Sequence, residues 1–222
     1  MLNLIMKDIV IQKKTLLYTF LYTIFLSITF SSLKPIGMGL YVLCPVVTTY
    51  FFITSSVNYD EKNKSEIVLN SLPLNRDAIV ISKYISIFVF AIICIIYSIS
   101  IGFVEKIIRL PLVVRLFSLL DIILVLISVC IFGAIFFPVY FKFGYIKSKI
   151  FNTMLFMIIF FVPTMIINYA IESPNNILVQ KFNYFITNTS SFAKNSLVLI
   201  IGSIIFLISL MISIRIYNNK EF

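Results

Sequence analysis

The charges along this chain are arranged so that they leave six long uncharged runs. The six runs are residues 15–33, 35–59, 84–104, 122–141, 150–171 and 195–214. Their lengths range from 19 to 25 residues. A helix needs about 20 apolar residues to cross the hydrocarbon core of a bilayer, and a lone strand cannot satisfy its backbone groups there. The sequence therefore predicts an all-α integral membrane protein with six transmembrane helices in a single domain, residues 1–222.

Composition excludes a soluble globular protein. The chain is 60% hydrophobic and 12% charged, with a mean hydropathy of +1.06, whereas soluble domains carry about 25% charged residues. The first run, residues 15–33, is too long for a signal-peptide core, and no clear small-x-small cleavage site follows it. We therefore favour a retained first helix over a cleaved signal peptide.

The basic residues predict how the spans are oriented. Of the 18 Lys and Arg residues, six fall in the segments that would lie outside if the N-terminus is inside, and the other 12 fall in the inner segments. An excess of Lys and Arg marks the cytoplasmic side. We therefore expect both termini in the cytoplasm, residues 60–83 as a cytoplasmic segment between spans two and three, and residues 172–194 as an outer segment.

The first 14 residues have the periodicity of an amphipathic helix. Their apolar residues recur at helical spacing on one face, while Lys7 and Asp8 fall largely off that face. The pattern predicts an interfacial helix over residues 1–14. The alternative is the polar start of the first span.

Several kinds of chemistry are missing from the sequence. It has no histidine and no GxxxxGK[ST] phosphate loop, and Cys44, Cys94 and Cys130 all fall within predicted spans without a CxxC pair. Only Asp121 among the acids lies near a span, at its outer end, which disfavours an ion-coupled carrier. We expect no catalytic, cofactor or metal site. The net charge of +9 is explained by topology and anionic lipids, so we expect no nucleic-acid partner.

The segment at residues 60–83 does not resemble an ordinary loop. Helix-forming residues run from Glu61 onward, and Ile67, Val68 and Leu72 supply a small apolar face. Pro73 then prevents the helix from continuing. An exposed apolar face of this kind suggests docking to a partner, whereas a solvated loop would need neither the face nor the sharp stop.

A second helix is predicted directly after this stop. Asn75 can cap it, and Asp77 would lie in its first turn, where a negative charge is favourable. Residues 60–83 thus read as a short helix, a break, and a helix that continues into span three.

The same residues resemble the segment between spans two and three of small bacterial ABC-2 type permeases. The matching features are an acidic start, an SLP step, an Arg shortly after it and an SKY-like entry to span three. In this sequence they are Asp60 and Glu61, then Ser71, Leu72 and Pro73, then Arg76, and finally Ser82, Lys83 and Tyr84. The stretch FPVYFKFGYIKSK, residues 137–149, is similar to the family's turn after span four.

The resemblance implies the membrane subunit of an ATP-binding cassette exporter with the ABC-2 type fold. Two permease subunits would pair, as a homodimer or with a related paralogue, and separate cytoplasmic ATPase subunits would bind ATP and Mg²⁺. Residues 61–73 would form the coupling helix. The ATPase-coupling residues would be Asp60, Glu61, Ile67, Val68, Leu72, Pro73 and Arg76.

The resemblance also implies export across a bacterial plasma membrane. We favour a hydrophobic or amphipathic peptide as substrate, with a lipid or an antibiotic as further possibilities, and the sequence does not identify the residues of the substrate path. An alternative from a different class is a non-transporting membrane protein, such as an immunity or sensor subunit that sequesters a toxic peptide.

Overall fold

The chain is built from helices. The computed structural model describes residues 2–31, 40–71, 75–108, 117–172, 176, 180 and 191–220, and these residues contain no strand. In chain order the helices are α1 (Leu2–Ile11), α2 (Lys13–Ser31), α3 (Leu40–Lys62), α4 (Ser65–Ser71), α5 (Arg76–Ile108), α6 (Leu119–Glu172) and α7 (Ser191–Asn218). The prediction of an all-α protein is confirmed.

Several of these helices have the length and composition of membrane spans. Among the described residues, four segments qualify: Val42–Lys62, Arg76–Val104, Leu119–Ile158 and Ser196–Asn218. The chain is therefore a multi-pass helical membrane protein. The link between the first two predicted spans, residues 109–116 between α5 and α6, and most of the predicted outer segment 172–194 lie outside the described residues.

The long helix α6 is a hairpin of two antiparallel arms. Gly144 interrupts it with φ 76° and ψ 170°, a conformation that is essentially open only to glycine. Phe132 and Phe156, equally far from Gly144 on either side, both pack on the ring of Tyr50 at centroid distances of 5.1 and 4.4 Å. In a straight helix they would lie about 36 Å apart. The turn after span four, which the resemblance implies within residues 137–149, is thus present, and its bend takes the single residue Gly144.

Helices α3, α5 and α6 form the core, with α2 packed on α3 and α7 packed on α6 and α5. Aromatic side chains fill much of it. The centroid of the Tyr84 ring lies 4.8 Å from that of Phe137 and 5.0 Å from that of Phe206. These ring contacts join α5 to α6 and α7. Gly133 lets the first arm approach α5 so closely that a Cβ there would collide with Ile87.

Several hydroxyl groups inside the bundle are paired with other helices or with their own backbone. The hydroxyl of Tyr84 lies 2.7 Å from those of both Ser209 and Ser213, and Ser209 also donates to the carbonyl of Ala134. Thr48 donates to the Cys44 carbonyl one turn earlier. These bonds satisfy polar atoms in a place where water cannot do so.

The boundaries around residues 60–83 differ from those expected. Helix α3 continues to Lys62 and therefore includes Glu61, which the sequence reading assigned to the coupling helix. The chain then turns at Lys64, which has φ 50°, and the short helix begins only at Ser65. The left-handed conformation of Lys64 ends one helix and starts the next. Helix α5 begins at Arg76, as the Asn75 pattern predicts.

Candidate functional site

The short helix α4 turns apolar side chains outward. Ile67 and Val68 are 62% and 59% exposed, whereas Leu69 is buried against the core of the bundle. A helix of seven residues is not stable by itself in water, so its position depends on its attachments. Those attachments lie at one end of the bundle, formed by α1, α4, the Gly144 bend and the last turn of α7. We call this the charged end.

A cluster of buried charges holds the end of α3 that precedes α4. Lys83 Nζ lies 2.8 Å from Asp8 Oδ1 and also pairs with Asp60, while Lys7 Nζ lies 2.7 Å from the other oxygen of Asp60. The side chains of Lys83, Asp8 and Asp60 are 7%, 2% and 4% exposed. Lys7, which is 27% exposed, lies at the edge of this group. Its charge completes a set of two cations and two anions. We call these four residues the buried cluster.

Two serines complete the cluster. Ser86 Oγ donates to Asp8 Oδ2 at 3.1 Å, and Lys83 Nζ donates to Ser56 Oγ at 3.3 Å. Buried ion pairs stabilise a fold only when their remaining hydrogen-bonding groups are also satisfied. The cluster thus fixes α1 and α5 to the end of α3.

Glu61 connects α3 to the hairpin. Its carboxylate accepts hydrogen bonds from the backbone N–H groups of Tyr145 and Ile146, the latter at 3.3 Å from each oxygen. These are the first N–H groups of the second arm after the Gly144 bend. They have no partner within their own helix, and the positive end of the helix dipole favours a carboxylate there. Glu61 therefore caps the second arm.

The end of α7 holds α4 and the start of α5 from the other side. Lys220 Nζ lies 2.9 Å from Glu66 Oε2, and Arg76 Nη1 donates to the carbonyls of Asn218 and Lys220 at 3.0 and 3.2 Å. Asn218 Nδ2 donates to Asp77 Oδ1 at 2.8 Å. We call these five residues the C-terminal clasp. Together with the buried cluster and Glu61, it ties the segment around α4 to α1, α5, α6 and α7.

A half-open hollow of about 360 Å³ lies between α4 and the Gly144 bend. Its lining combines acidic, basic and apolar side chains. The lining residues are Asp60, Glu61, Lys64, Glu66, Ile67, Tyr140, Lys142, Phe143, Gly144 and Lys220. The hollow places Phe143, which is 52% exposed, on the same surface as Ile67. Apolar exposure at the charged end therefore extends beyond α4.

The residues expected to contact a partner fall into two groups. Ile67, Val68 and Arg76 are exposed, whereas Asp60 points into the buried cluster and Glu61 is occupied by the second arm. The acidic start of the motif thus serves internal attachment. Leu72 and Pro73 lie outside the described residues.

Sequence reasoning missed the contributions of α1 and of the C-terminal end. The sequence places Lys7 and Asp8 largely off the apolar face of the first helix, but it does not reveal that Asp8 is 2% exposed and faces α5. Lys220 was counted only as an inner positive charge. The sequence does contain a signal for this pairing. Asp8 is an isolated acid and Lys83 precedes a long apolar run, and a buried charge needs a partner of opposite sign.

Metal-ligand side chains do not cluster in the part of the chain that the structure describes. The described residues contain no group of three or more potential metal ligands, and the three cysteines form no disulfide with one another. What the charged end does contain is an anchored apolar helix. These features define a class, a helical multi-pass membrane protein with an apolar surface presented at its charged end.

The comparison with protein families makes the class specific. The model for the ABC-2 family transporter proteins matches residues 3–218, almost the whole chain. The chain therefore belongs to the ABC-2 transporter family. Membership implies a role as membrane component of an ABC transporter, with an ATPase as partner. No curated protein and no solved structure matches the chain.

Proposed function

We propose that this chain is the permease subunit of an ABC exporter in a bacterial plasma membrane, with six spans and both termini in the cytoplasm. Two features support six spans. One of the four qualifying segments is a hairpin whose second arm runs to Glu172, and α2, with 19 residues, is long enough to cross as well. On this topology the charged end faces the cytoplasm, in agreement with the distribution of Lys and Arg.

The outward-facing apolar side chains of α4 carry the proposal. A soluble ATPase can bind this surface only if the surface reaches the cytoplasm, and α4 lies at the charged end with Ile67 and Val68 exposed. The charged groups around it would form the polar rim that such interfaces have. The ATPase would bind ATP and Mg²⁺, and this chain would supply neither.

The attachments of α4 give the proposal a mechanism. When the ATPase pair closes on ATP, α4 moves with it and cannot move alone. Asp60 transmits the displacement to α1 and α5 through the buried cluster, and Glu61 transmits it to the second arm of α6. Since packed interfaces switch between discrete arrangements, the spans would shift together and open the path outward.

The substrate in this proposal is a hydrophobic or amphipathic molecule, with a peptide favoured. The chain is rich in aromatic residues, with 23 Phe and 12 Tyr, and such side chains suit apolar cargo. A second permease subunit, either identical or related, would complete the path, and membrane lipids would surround the pair.

Val68→Asp is the sharpest test that the described residues allow. A carboxylate forced into a dry interface costs several kcal/mol, but at an exposed position in the free subunit it costs little. The variant should insert and purify normally, and it should lose co-purification with the partner ATPase. Asn63→Asp is the matched control, because it places the same charge in the exposed turn before α4.

Two outcomes would count against the proposal. If Val68→Asp retains the ATPase as well as Asn63→Asp does, α4 is not the docking helix. If no ATPase co-purifies with the unmodified chain, and a toxic peptide binds the chain without any nucleotide, the sequestering immunity or sensor protein becomes the better description. Such a protein has no need of an outward-facing apolar helix.

A further inference from the structure

A second cavity lies among the apolar helices, away from the charged end. It has a volume of about 210 Å³ and lies between α3 and the two arms of α6. Almost all of its lining is apolar. The lining residues are Val42, Leu43, Val46, Val47, Tyr50, Ile53, Ser128, Val129, Phe132 and Phe156. An apolar cavity of about 150 Å³ stays dry and can hold a benzene molecule, so this cavity has room for one aromatic or branched aliphatic group.

Of the two side-chain hydroxyls that line the cavity, only that of Tyr50 has a proton available to donate to a ligand. The ring of Tyr50 is held between Phe132 and Phe156, yet its hydroxyl makes no hydrogen bond to any residue that the structure describes. Ser128, the other polar lining residue, already donates to the carbonyl of Leu124 at 2.8 Å. Tyr84 differs from Tyr50, because its hydroxyl contacts two serines at 2.7 Å.

The depth of Tyr50 argues against a bilayer lipid as the occupant. Tyr50 is ten residues from the start of α3 at Leu40 and twelve from its end at Lys62, or about 15 to 18 Å at 1.5 Å per residue. The hydrocarbon core is about 30 Å thick. Phospholipid ester carbonyls lie at its edges and would not reach this hydroxyl. An acceptor at mid-depth must belong to a molecule that carries a carbonyl close to its apolar group.

We propose that this cavity binds the exported molecule, taking one aromatic or branched aliphatic group while the Tyr50 hydroxyl donates a hydrogen bond to an adjacent carbonyl oxygen. The inference rests on the proposed export function and adds the site and the recognised chemistry. A hydrophobic peptide or an N-acyl amino acid amide has this combination, an apolar side chain two bonds from an amide carbonyl. An alkane chain does not.

Photolabelling of the purified chain in lipid nanodiscs tests this directly. The probe is N-octanoyl-para-azidophenylalaninamide, and peptide mapping identifies the labelled residues. Label should concentrate on the cavity walls of α3 and α6, and an excess of unlabelled N-octanoyl-phenylalaninamide should displace it. Because no ATPase is present, a negative result concerns the cavity alone, whereas the Val68→Asp experiment concerns docking alone.

Three variants sharpen the test. Val46→Phe fills the cavity and should abolish labelling of its walls. Ile96→Phe adds the same ring at a position on α5 that is 57% exposed, and it should leave labelling unchanged. Tyr50→Phe keeps the ring and removes the hydroxyl, so half-saturation should require about fivefold more probe, the loss expected for one neutral hydrogen bond.

Contrary results are equally specific. Labelling that persists in Val46→Phe, or a half-saturation unchanged in Tyr50→Phe, would overturn the assignment. A third arm uses a phosphatidylcholine with a photoreactive group in its acyl chain. If this lipid labels the cavity walls and unlabelled N-octanoyl-phenylalaninamide fails to displace it, the cavity holds bilayer lipid and the proposal is wrong.

Discussion

The segment around α4 is held on two sides by charged groups in very different surroundings. On one side, the buried cluster joins Asp60 to α5 through Lys83, which is only 7% exposed and also pairs with Asp8 of α1. Only Lys7, at the edge of the cluster, is 27% exposed. On the other side, the C-terminal clasp joins Glu66 to Lys220, whose side chains are 30% and 26% exposed. Similar ion pairs therefore occur in a dry and in a partly wet environment.

The difference teaches which attachment is permanent and which can be released. Removing one partner from a buried ion pair leaves a charge that nothing compensates, at a cost of about 3–5 kcal/mol. An ion pair near water contributes only about 0–1 kcal/mol and weakens with salt. The buried cluster therefore behaves as a fixed joint between α1, α3 and α5, while the clasp can open during a transport cycle.

The largest expected effect is at Lys83. Lys83→Met leaves Asp8 and Asp60 buried together with only Lys7 to compensate them, and the free energy of unfolding should fall by about 3–5 kcal/mol. Thermal unfolding of the purified chain in mild detergent, followed by loss of the monodisperse chromatography peak, measures the change.

A double variant provides the control. Adding Asp8→Asn to Lys83→Met removes one charge of each sign and leaves the Lys7–Asp60 pair in place. Most of the lost stability should return, and the two changes should be strongly non-additive. If the double variant is as unstable as the single one, the cluster is held together by packing and not by charge.

Gly144→Ala is expected to have the second largest effect. A Cβ there would lie 3.6 Å from the oxygens of Glu61, an ordinary contact, so the cost comes from the backbone at φ 76° and ψ 170°. That conformation costs a residue with a side chain about 1–3 kcal/mol. The matched control is Gly102→Ala, which meets nothing within 4 Å in the middle of a helix and should stabilise the chain by about 0.5–1 kcal/mol. If Gly144→Ala and Gly102→Ala change the unfolding midpoint equally, the backbone at Gly144 is not strained for a residue with a side chain.

A smaller effect is expected at Glu61. Glu61→Ala removes the carboxylate that accepts from Tyr145 and Ile146 and should cost about 1–2 kcal/mol, as for other helix caps. Glu61→Gln keeps an acceptor and loses only the charge, so its cost should be less than half as large. In reconstituted transporter, Glu61→Ala should also reduce transport per ATP hydrolysed. If Glu61→Ala unfolds at the same temperature as the unmodified chain, the Glu61 carboxylate does not help to hold the second arm of α6.

Much of this architecture could be predicted from the sequence, because helices in lipid must be long, uncharged and internally hydrogen-bonded. The helix start at Arg76 and the outward exposure of Ile67 and Val68 both followed from local patterns. Each depends on residues close together in the chain. The turn within residues 137–149 followed from the family resemblance.

The directions of the charged side chains could not be predicted in the same way. Whether Asp60 faces a partner or the bundle depends on Lys83 and on Lys7, which is 53 positions away in the chain. The pairing of Glu61 with the N–H groups of residues 145 and 146 spans 84 and 85 positions. Periodicity fixes the face of a helix on which a charge lies, but the neighbour that this face meets is set by tertiary packing.

The smallest expected effect lies in the C-terminal clasp. Lys220→Ala removes the ion pair with Glu66 but leaves the bonds from Arg76 to the backbone carbonyls of Asn218 and Lys220 intact. Since the pair is partly exposed, the free energy of unfolding should fall by less than about 1 kcal/mol. Raising the salt concentration from about 0.05 to about 0.5 M should reduce the difference in free energy of unfolding between Lys220→Ala and the unmodified chain, because salt screens charges near water. The loss of unfolding free energy in Lys83→Met, in contrast, should be insensitive to salt, because the carboxylates of Asp8 and Asp60 are enclosed. If Lys220→Ala destabilises the chain as much as Lys83→Met does, the clasp is a second fixed joint, and α4 could not move independently of α7.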